Sequence, residues 1–583
     1  MSSTLVNDSP PLCVAYYCSG HGSSTRILSV HFANTYDESP GYGHATRVSA
    51  FARHLLTQQA PNVIIYLVSS APERVFSDSI ALGARYRCAD IDPVVVQPLA
   101  YRVDRRKSVQ VLEQFITTKN ELLERERQWL LEIRAHCVLS DAAFLGCLAA
   151  NAAGLPSILI TNFTFDSVYS FLSSPILETP SILDIIPDTP IPHAEIAPLV
   201  DQILAGYRCA DLLVRLPGYI PIPSFIVEPP LPSSNWIDVK SKRMKPEILE
   251  RLLLPPSAMT VIQAPLLVRP HSPSVYTFEG RSKLLASIGI PPQSPDTKIL
   301  IVSFGGQVFR RPNSSRGSRA HSRQSSRESL VDMTNRNDLL PSNGNGFLQP
   351  VEESVHDLHV ATRLTTPDHL WIPGAPPVSR SPLVPSTSSF SIPIVNTIPP
   401  TPMESYSDEP GFPGLEVPQL LPDESWIAII CGASKEQWNA QDDEELPEGF
   451  FVAPKDVYMP DLTAVGDVLL GKLGYGTVSE CVDTCTPFVY VSRPLFIEEH
   501  GLRLLLDQEG VGVELSRESY EAGDWAAAVN EAWAKGRDAK LRKVWEMQNA
   551  IGVDKREKEG RRLAGTVTNW IESWWKKNGQ VST

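Results

Sequence analysis

Short apolar runs recur along the chain, each closed by a turn and followed by a stretch of helical spacing. Residues 12–17 form the first run, and residues 45–56 (ATRVSAFARHLL) place apolar side chains at three- and four-residue intervals. Residues 63–69 (VIIYLVS) predict a strand buried on both faces. A charged amphipathic helix follows over 108–135, then a strand over 136–140 that ends at Asp141. A helix over 143–153 and a strand over 157–161 (SILIT) continue the alternation. The same grammar returns later, with strands over 298–304, 427–431, 450–452, 468–470 and 487–491 and a helix from about Thr477. Trp570, Trp574 and Trp575 lie at helical spacing in a last segment over 561–577. Strands alternating with helices through short loops call for parallel sheets covered on both faces. The expected fold class is α/β, with two Rossmann-like doubly wound domains facing across a cleft.

Between residues 308 and 422 the grammar stops. Stretches such as RRPNSSRGSRAHSRQSSRES bury too little apolar surface to offset ordering entropy. A long disordered Ser/Pro-rich insertion inside the second domain is expected, because the alternation resumes directly after it and long loops add little closure entropy. The expected organisation is a first domain over 1–215, a connector over 216–295 and a second domain over 296–307 and 423–560. The insertion occupies 308–422, and a helix over 561–583 packs back. Arg311 with Ser314 and Arg323 with Ser326 have basophilic-kinase spacing, which suggests a phospho-dependent partner acting through 310–330.

Composition narrows the functional classes. A chain of 583 residues exceeds one hydrophobic core. With 42% hydrophobic and 20% charged residues it resembles ordinary soluble domains, and a net charge of −14 argues against a nucleic-acid partner. The start, MSSTLVNDSPP, lacks the basic and apolar regions of a leader, and no apolar run is long enough for a transmembrane segment. Nine cysteines are scattered without metal-ligand spacing; Cys481 and Cys485, four apart on a predicted helix, fit packing better than ligation. These features fit a reducing, cytoplasmic location, in which the sequon at Asn162 goes unused.

Ligands of open parallel sheets bind beyond the carboxyl ends of strands, where glycines admit close approach and helix N-termini attract phosphate. Three segments qualify. The first holds Gly20-His21-Gly22 and Gly41-Tyr42-Gly43-His44; the second is SFGGQ over 303–307; the third is GKLGYGTVSE over 471–480. In the third, Thr477 offers a hydroxyl at the helix start, and Glu480, about one turn on, can accept from ribose hydroxyls. Any one such turn is equally explained by tight chain reversal, but two in one domain favour a nucleoside diphosphate. Neither a Walker loop nor GxGxxG is present.

Several stretches, taken in order, carry a resemblance: AYYCSGHG, YGHATRV, VLSDAAFLG, ILITNFTFDSVY, VRLPGYIPIP, SFGGQ, IICGAS, VGDVLLGKLGYGTVSE and PFVYVSRPLFIEEHGLR. Together they resemble the amino-terminal, glycosyltransferase-like region of plant-type L-arabinokinases. More distantly they are similar to two-domain (GT-B) nucleotide-sugar glycosyltransferases of the cell-wall N-acetylglucosaminyltransferase and plant glucosyltransferase types. No Gly/Ser-rich kinase loop follows Lys577, so sugar-kinase activity is not expected.

The resemblance implies roles. His44 matches a base after the first strand, and Asp141 a carboxylate that steers it; a phosphate- or acceptor-binding histidine and a helix-capping aspartate are the alternatives. Gly20, His21, Gly22, Gly43, Asn162 and Asp166 fall on the acceptor side, in the 1–215 domain. On the donor side, Ser303, Gly305, Gly306, Gln307, Gly474, Tyr475, Gly476 and Thr477 would hold a diphosphate and Glu480 the ribose. Glu498 and Glu499 match the donor-sugar region, a solvated helix start being the alternative. No metal and no cofactor beyond the co-substrate are expected, and backbone amides would stabilise the leaving diphosphate. The expected function is inverting transfer from a nucleotide sugar to an unknown acceptor. A catalytically silent nucleotide-sugar sensor, or an epimerase or hydrolase on the same scaffold, are the alternatives.

Without residues 23–41 the chain would run CSGHGYGHATRV, one continuous strand–loop–helix. The segment is nineteen residues long, the size of a short intron; an anomalous insert from a retained intron or gene-model error is expected, a real loop insertion being the alternative, and it should bulge from the cleft mouth.

Overall fold

A computed structural model describes residues 11–20, 43–58, 62–98, 100–178, 188–253, 260–304, 369–371, 377–379, 419–432, 447–454 and 456–579. The insert 23–41 and nearly all of 308–422 lie outside the described residues, as does the expected bulge. Two parallel sheets carry the fold, as the alternation predicts. The first contains β1 (Leu12–Cys18), β2 (Val63–Ser69), β3 (Arg85–Cys88), β4 (Cys137–Asp141), β5 (Ser157–Thr161), β6 (Leu212–Arg215) and β7 (Val261–Gln263). Their order is β3-β2-β1-β4-β5-β6-β7. The second contains β8 (Lys298–Ser303), β9 (Trp426–Ile430), β10 (Phe450–Val452), β11 (Val468–Gly471), β12 (Phe488–Val491) and β13 (Gly512–Leu515), in the order β10-β9-β8-β11-β12-β13. β8 pairs directly with β9, Ile299 opposite Ile427, although residues 304–425 separate them in sequence.

Burial on both faces explains why β1 is an unbroken apolar run. Leu12, Val14, Tyr16 and Cys18 enter one core, while Ala15 and Tyr17 enter the other. The helices that matter for the site are α1 (Gly43–Leu56), α2 (Arg105–Glu132), α3 (Phe144–Ala152), α4 (Phe165–Ser170), α5 (Tyr475–Thr484), α6 (Glu498–Glu509) and α7 (Lys555–Gly579). α2 starts three residues before its periodic pattern, because the Asp104 side chain accepts from the Lys107 N–H at 2.9 Å and caps it. β7 comes from the stretch expected to be a connector, and pairs with β6 through Val214 and Ile262. α7 begins at Lys555, ahead of the tryptophan pattern, and buries Leu563, Ala564, Val567 and Ile571. It lies against α1 of the first sheet: Glu557 pairs with Arg53, and Trp575 Nε1 donates to the His136 carbonyl at 2.9 Å.

Each sheet reverses its strand order once, between β1 and β4 and between β8 and β11, and such switch points are where open sheets bind ligands. Cys18 stands opposite Asp141 at the first, and Ser303 opposite Gly471 at the second. Position 471 admits only glycine without backbone movement, since a Cβ there would lie 2.1 Å from the Ser303 carbonyl oxygen.

Candidate functional site

At the first switch point β4 delivers Asp141, wholly buried, to the start of α1. His44 Nδ1 lies 2.7 Å from Asp141 Oδ1. Arg47, one turn along α1, donates from Nε to Oδ2 and from Nη2 to Oδ1, both at 2.6 Å. An ionised oxygen facing an unprotonated nitrogen at 2.7 Å would set lone pair against lone pair. A hydrogen on Nδ1 removes that clash, while Arg47 Nη2, 2.9 Å from the same nitrogen, matches the other tautomer. Burial works to raise the Asp141 pKa, but Arg47 and His44 together hold it below the ordinary value. The imidazole is framed by Phe163, edge-on at 5.5 Å, and Phe165, stacked at 6.4 Å.

Asn162, at the end of β5, accepts from Arg47 Nη1 through Oδ1 at 2.6 Å and donates through Nδ2 to Glu498 Oε1 at 3.1 Å. This second bond reaches α6, so residues beyond the strand ends of both sheets meet here. The Arg47 guanidinium also sits 5.0 Å from the centroid of the Tyr475 ring. Gly43 and Gly476, at the N-termini of α1 and α5, approach so closely that a Cβ on Gly476 would be 3.5 Å from Gly43 Cα. Gly43 of the first glycine segment thus abuts Gly476 of the third.

On the second side, Tyr475 accepts from the Leu267 N–H at 3.3 Å, while Gly474 and Thr477 are half-buried around it. Lys472 follows β11 directly; burial and the neighbouring Arg493 pull its pKa down to about 7, with Glu498 opposing. Glu480 is buried and ion-paired with Arg269 at 3.1 Å; burial raises its pKa and Arg269 opposes. Glu499 is almost wholly buried. It accepts from the Arg493 N–H at 2.8 Å and from Arg503 Nη2 at 2.5 Å, so its carboxylate turns into the protein. Glu498, by contrast, is half-buried and points to Asn162.

Ser303 is buried beneath the second switch point, and Gly20 lies two residues after β1, its carbonyl accepting from Ser70 Oγ at 3.0 Å. Asp166 is fully buried in the first turn of α4, where burial pushes its pKa up to about 6. His21, Gly22, Gly305, Gly306 and Gln307 lie outside the described residues. Among the described residues no cluster of three or more His, Cys, Asp or Glu side chains is placed to hold a metal ion. No described helix is long and apolar enough to cross a membrane.

Arg47, Lys472, Arg269 and Asp92 belong to the site although the sequence did not single them out. Arg47 had a local signal, three residues after His44 on one helix face. Lys472 had one too, as the residue immediately after a strand. Asp92 accepts from Ser19 Oγ, and burial pushes its pKa up to about 7; nothing near it in sequence indicated this.

No family profile matches the chain. In sequence the chain is homologous to L-arabinokinase of Arabidopsis thaliana, with 26% identity over 523 residues. The match takes in 89% of this chain and 32% of that protein, so the chain spans about a third of the length of the curated relative it matches. Among solved structures it is similar to the calicheamicin glycosyltransferase CalG4, with a TM-score of 0.45 and 14% identity over 97% of this chain and 99% of that one. It is also similar to a UDP-glucosyltransferase from Polygonum tinctorium, with a TM-score of 0.46 and 13% identity over 97% of this chain and 99% of that one.

Proposed function

We propose that the chain binds a nucleotide-diphosphate sugar between the two switch points and transfers the sugar to an acceptor on the first-sheet side. One observation carries this: the His44–Asp141 pair and the 474–477 turn, far apart in sequence, meet through Arg47 and Tyr475 and through Gly43 and Gly476. The diphosphate would lie at the N-terminus of α5, taking backbone N–H groups, the Thr477 hydroxyl and the Lys472 ammonium. Glu480 and Arg269 would face the ribose, and Glu498 the sugar. With Nδ1–H given to Asp141, His44 Nε2 would take the acceptor hydroxyl's proton. The freed oxygen attacks the anomeric carbon as the bond to the diphosphate breaks, which inverts that carbon. Lys472 and the helix dipole would offset the charge that develops on the leaving diphosphate.

A second reading, a nucleotide-sugar sensor without turnover, draws support from the ion pairs that already occupy Glu480 and Glu499. The homologue is named a kinase, but this chain matches 32% of its length, and nothing in the described site favours phosphoryl over glycosyl transfer. The discriminating experiment incubates the full chain with labelled nucleotide sugars and a mixed acceptor pool. Under the transfer reading the wild type forms labelled product, and His44→Ala loses it while still binding donor. Donor binding without product in the wild type favours the sensor. Loss of donor binding in His44→Ala would remove its role as base.

A further inference from the structure

Arg47 touches more of the site than any other side chain described above, yet neither the base nor the donor cradle has a stated use for it. We propose that Arg47 is a positioning residue that locks the Asn162 amide toward Glu498 and so ties the His44–Asp141 pair to the donor side. The proposal rests on the donor-binding reading of the site given above.

The geometry leaves the amide one orientation. Arg47 Nη1 donates to Asn162 Oδ1 at 2.6 Å, which fixes the oxygen toward the guanidinium. The nitrogen then faces the other way, donating to Glu498 Oε1 at 3.1 Å and to the Gly218 carbonyl at 3.5 Å. Rotating the amide by half a turn would set its N–H groups against a guanidinium N–H and its oxygen against a carboxylate. Both contacts would be repulsive, so the orientation follows from Arg47 and Glu498 together.

The guanidinium is itself held from three sides. Asp141 takes Nε and Nη2 as a two-pronged acceptor, and the Tyr475 ring lies 5.0 Å from Cζ. Burial works against the Arg47 cation, but Asp141 more than offsets it and raises the pKa above its ordinary value. A lysine could keep the charge at this position. It could not reach Asp141 and Asn162 at once with a planar fork, so charge and positioning are separable by experiment.

The test is a double-mutant cycle on the full chain with Arg47→Lys, Asn162→Ala and the double variant. Binding of UDP-glucose, UDP-N-acetylglucosamine and GDP-mannose is followed by calorimetry, and the Asn162 side-chain amide by NMR after selective asparagine labelling. Each single variant is expected to weaken binding of the recognised donor by about tenfold, the worth of one charge-assisted hydrogen bond. The double variant is expected to lose no more than either single one. The Asn162 amide should give one sharp pair of signals in the wild type and exchange-broadened signals in Arg47→Lys. Multiplicative losses in the double variant, or an unchanged amide in Arg47→Lys, would overturn the proposal. If the wild type binds none of these sugars, donor binding fails on its own, and the amide signals still decide the role of Arg47.

Discussion

Asp141 is a buried carboxylate shared by an imidazole and a guanidinium, and this sharing has consequences at single positions. Asp141→Asn removes the counter-charge of a buried arginine, so chemical denaturation should show a loss of about 3–5 kcal/mol. Lys472 acts in the opposite sense, because it is a cation that burial holds down to about 7. An anionic diphosphate must bind its protonated form, so donor affinity should fall as pH rises through about 7. Lys472→Met should weaken donor binding by at least about tenfold and flatten that pH dependence in calorimetric titrations. A Lys472→Met variant with wild-type affinity and pH profile would remove Lys472 from the site. At this scale the sequence showed where chain turns meet helix starts, as at His44 and the 474–477 turn, and where a strand ends on a carboxylate, as at Asp141. It was silent on partners: Arg269 lies 211 positions before Glu480, and no local pattern announces their ion pair.

Among the elements, the strands over 63–69, 157–161 and 298–303 and the helix from residue 105 were legible, whereas the helices His193–Tyr207 and Ala526–Gln548 and the buried strand Leu212–Arg215 were not singled out. Short or polar strands were missed as well. β3 reads RYRC, and as an edge strand it leaves two of its four residues exposed. β7 has three residues inside a proline-rich stretch and depends on β6 for its hydrogen bonds. Pairing in such cases is set by the neighbouring strand more than by the segment itself. The glycine turns invite a contrast between neighbours. Gly471→Ala would drive a Cβ into the Ser303 carbonyl, at an expected cost of about 1–3 kcal/mol or more in thermal or urea unfolding. A Cβ at Gly474 meets nothing within 4 Å, so Gly474→Ala should leave the midpoint nearly unchanged. If a diphosphate approaches the backbone there, the same variant should bind donor less tightly.

Across the whole molecule, α7 lies against the first sheet's α1 after the second sheet has been completed. Arg53 with Glu557 and the buried Leu563 and Val567 form part of this packing, and Leu563→Ala should cost about 2–5 kcal/mol. The tryptophan spacing announced a helix here, but which surface it would cover was set by residues such as Arg53, 504 positions before its partner Glu557. Acid stability is a molecular property as well. Burial, with Arg503 and Arg243, pulls His500 down to about 3, so the folded state resists a proton that the unfolded chain accepts near pH 6.5. Stability is therefore expected to be lost as pH falls from about 6.5 toward 3, and the fall should be shallower in His500→Leu. An unchanged slope would show that His500 does not contribute.

Donor binding at the meeting of the two switch points is the claim on which the rest depends. Calorimetric titration of the full chain with UDP-, GDP- and ADP-sugars tests it most directly, with Lys472→Met and Gly474→Ala titrated in parallel. Saturable one-to-one binding of at least one of these sugars is expected, weakened in both variants while their unfolding midpoints stay close to the wild type. Binding of none of them, or binding that both variants leave intact, would contradict it.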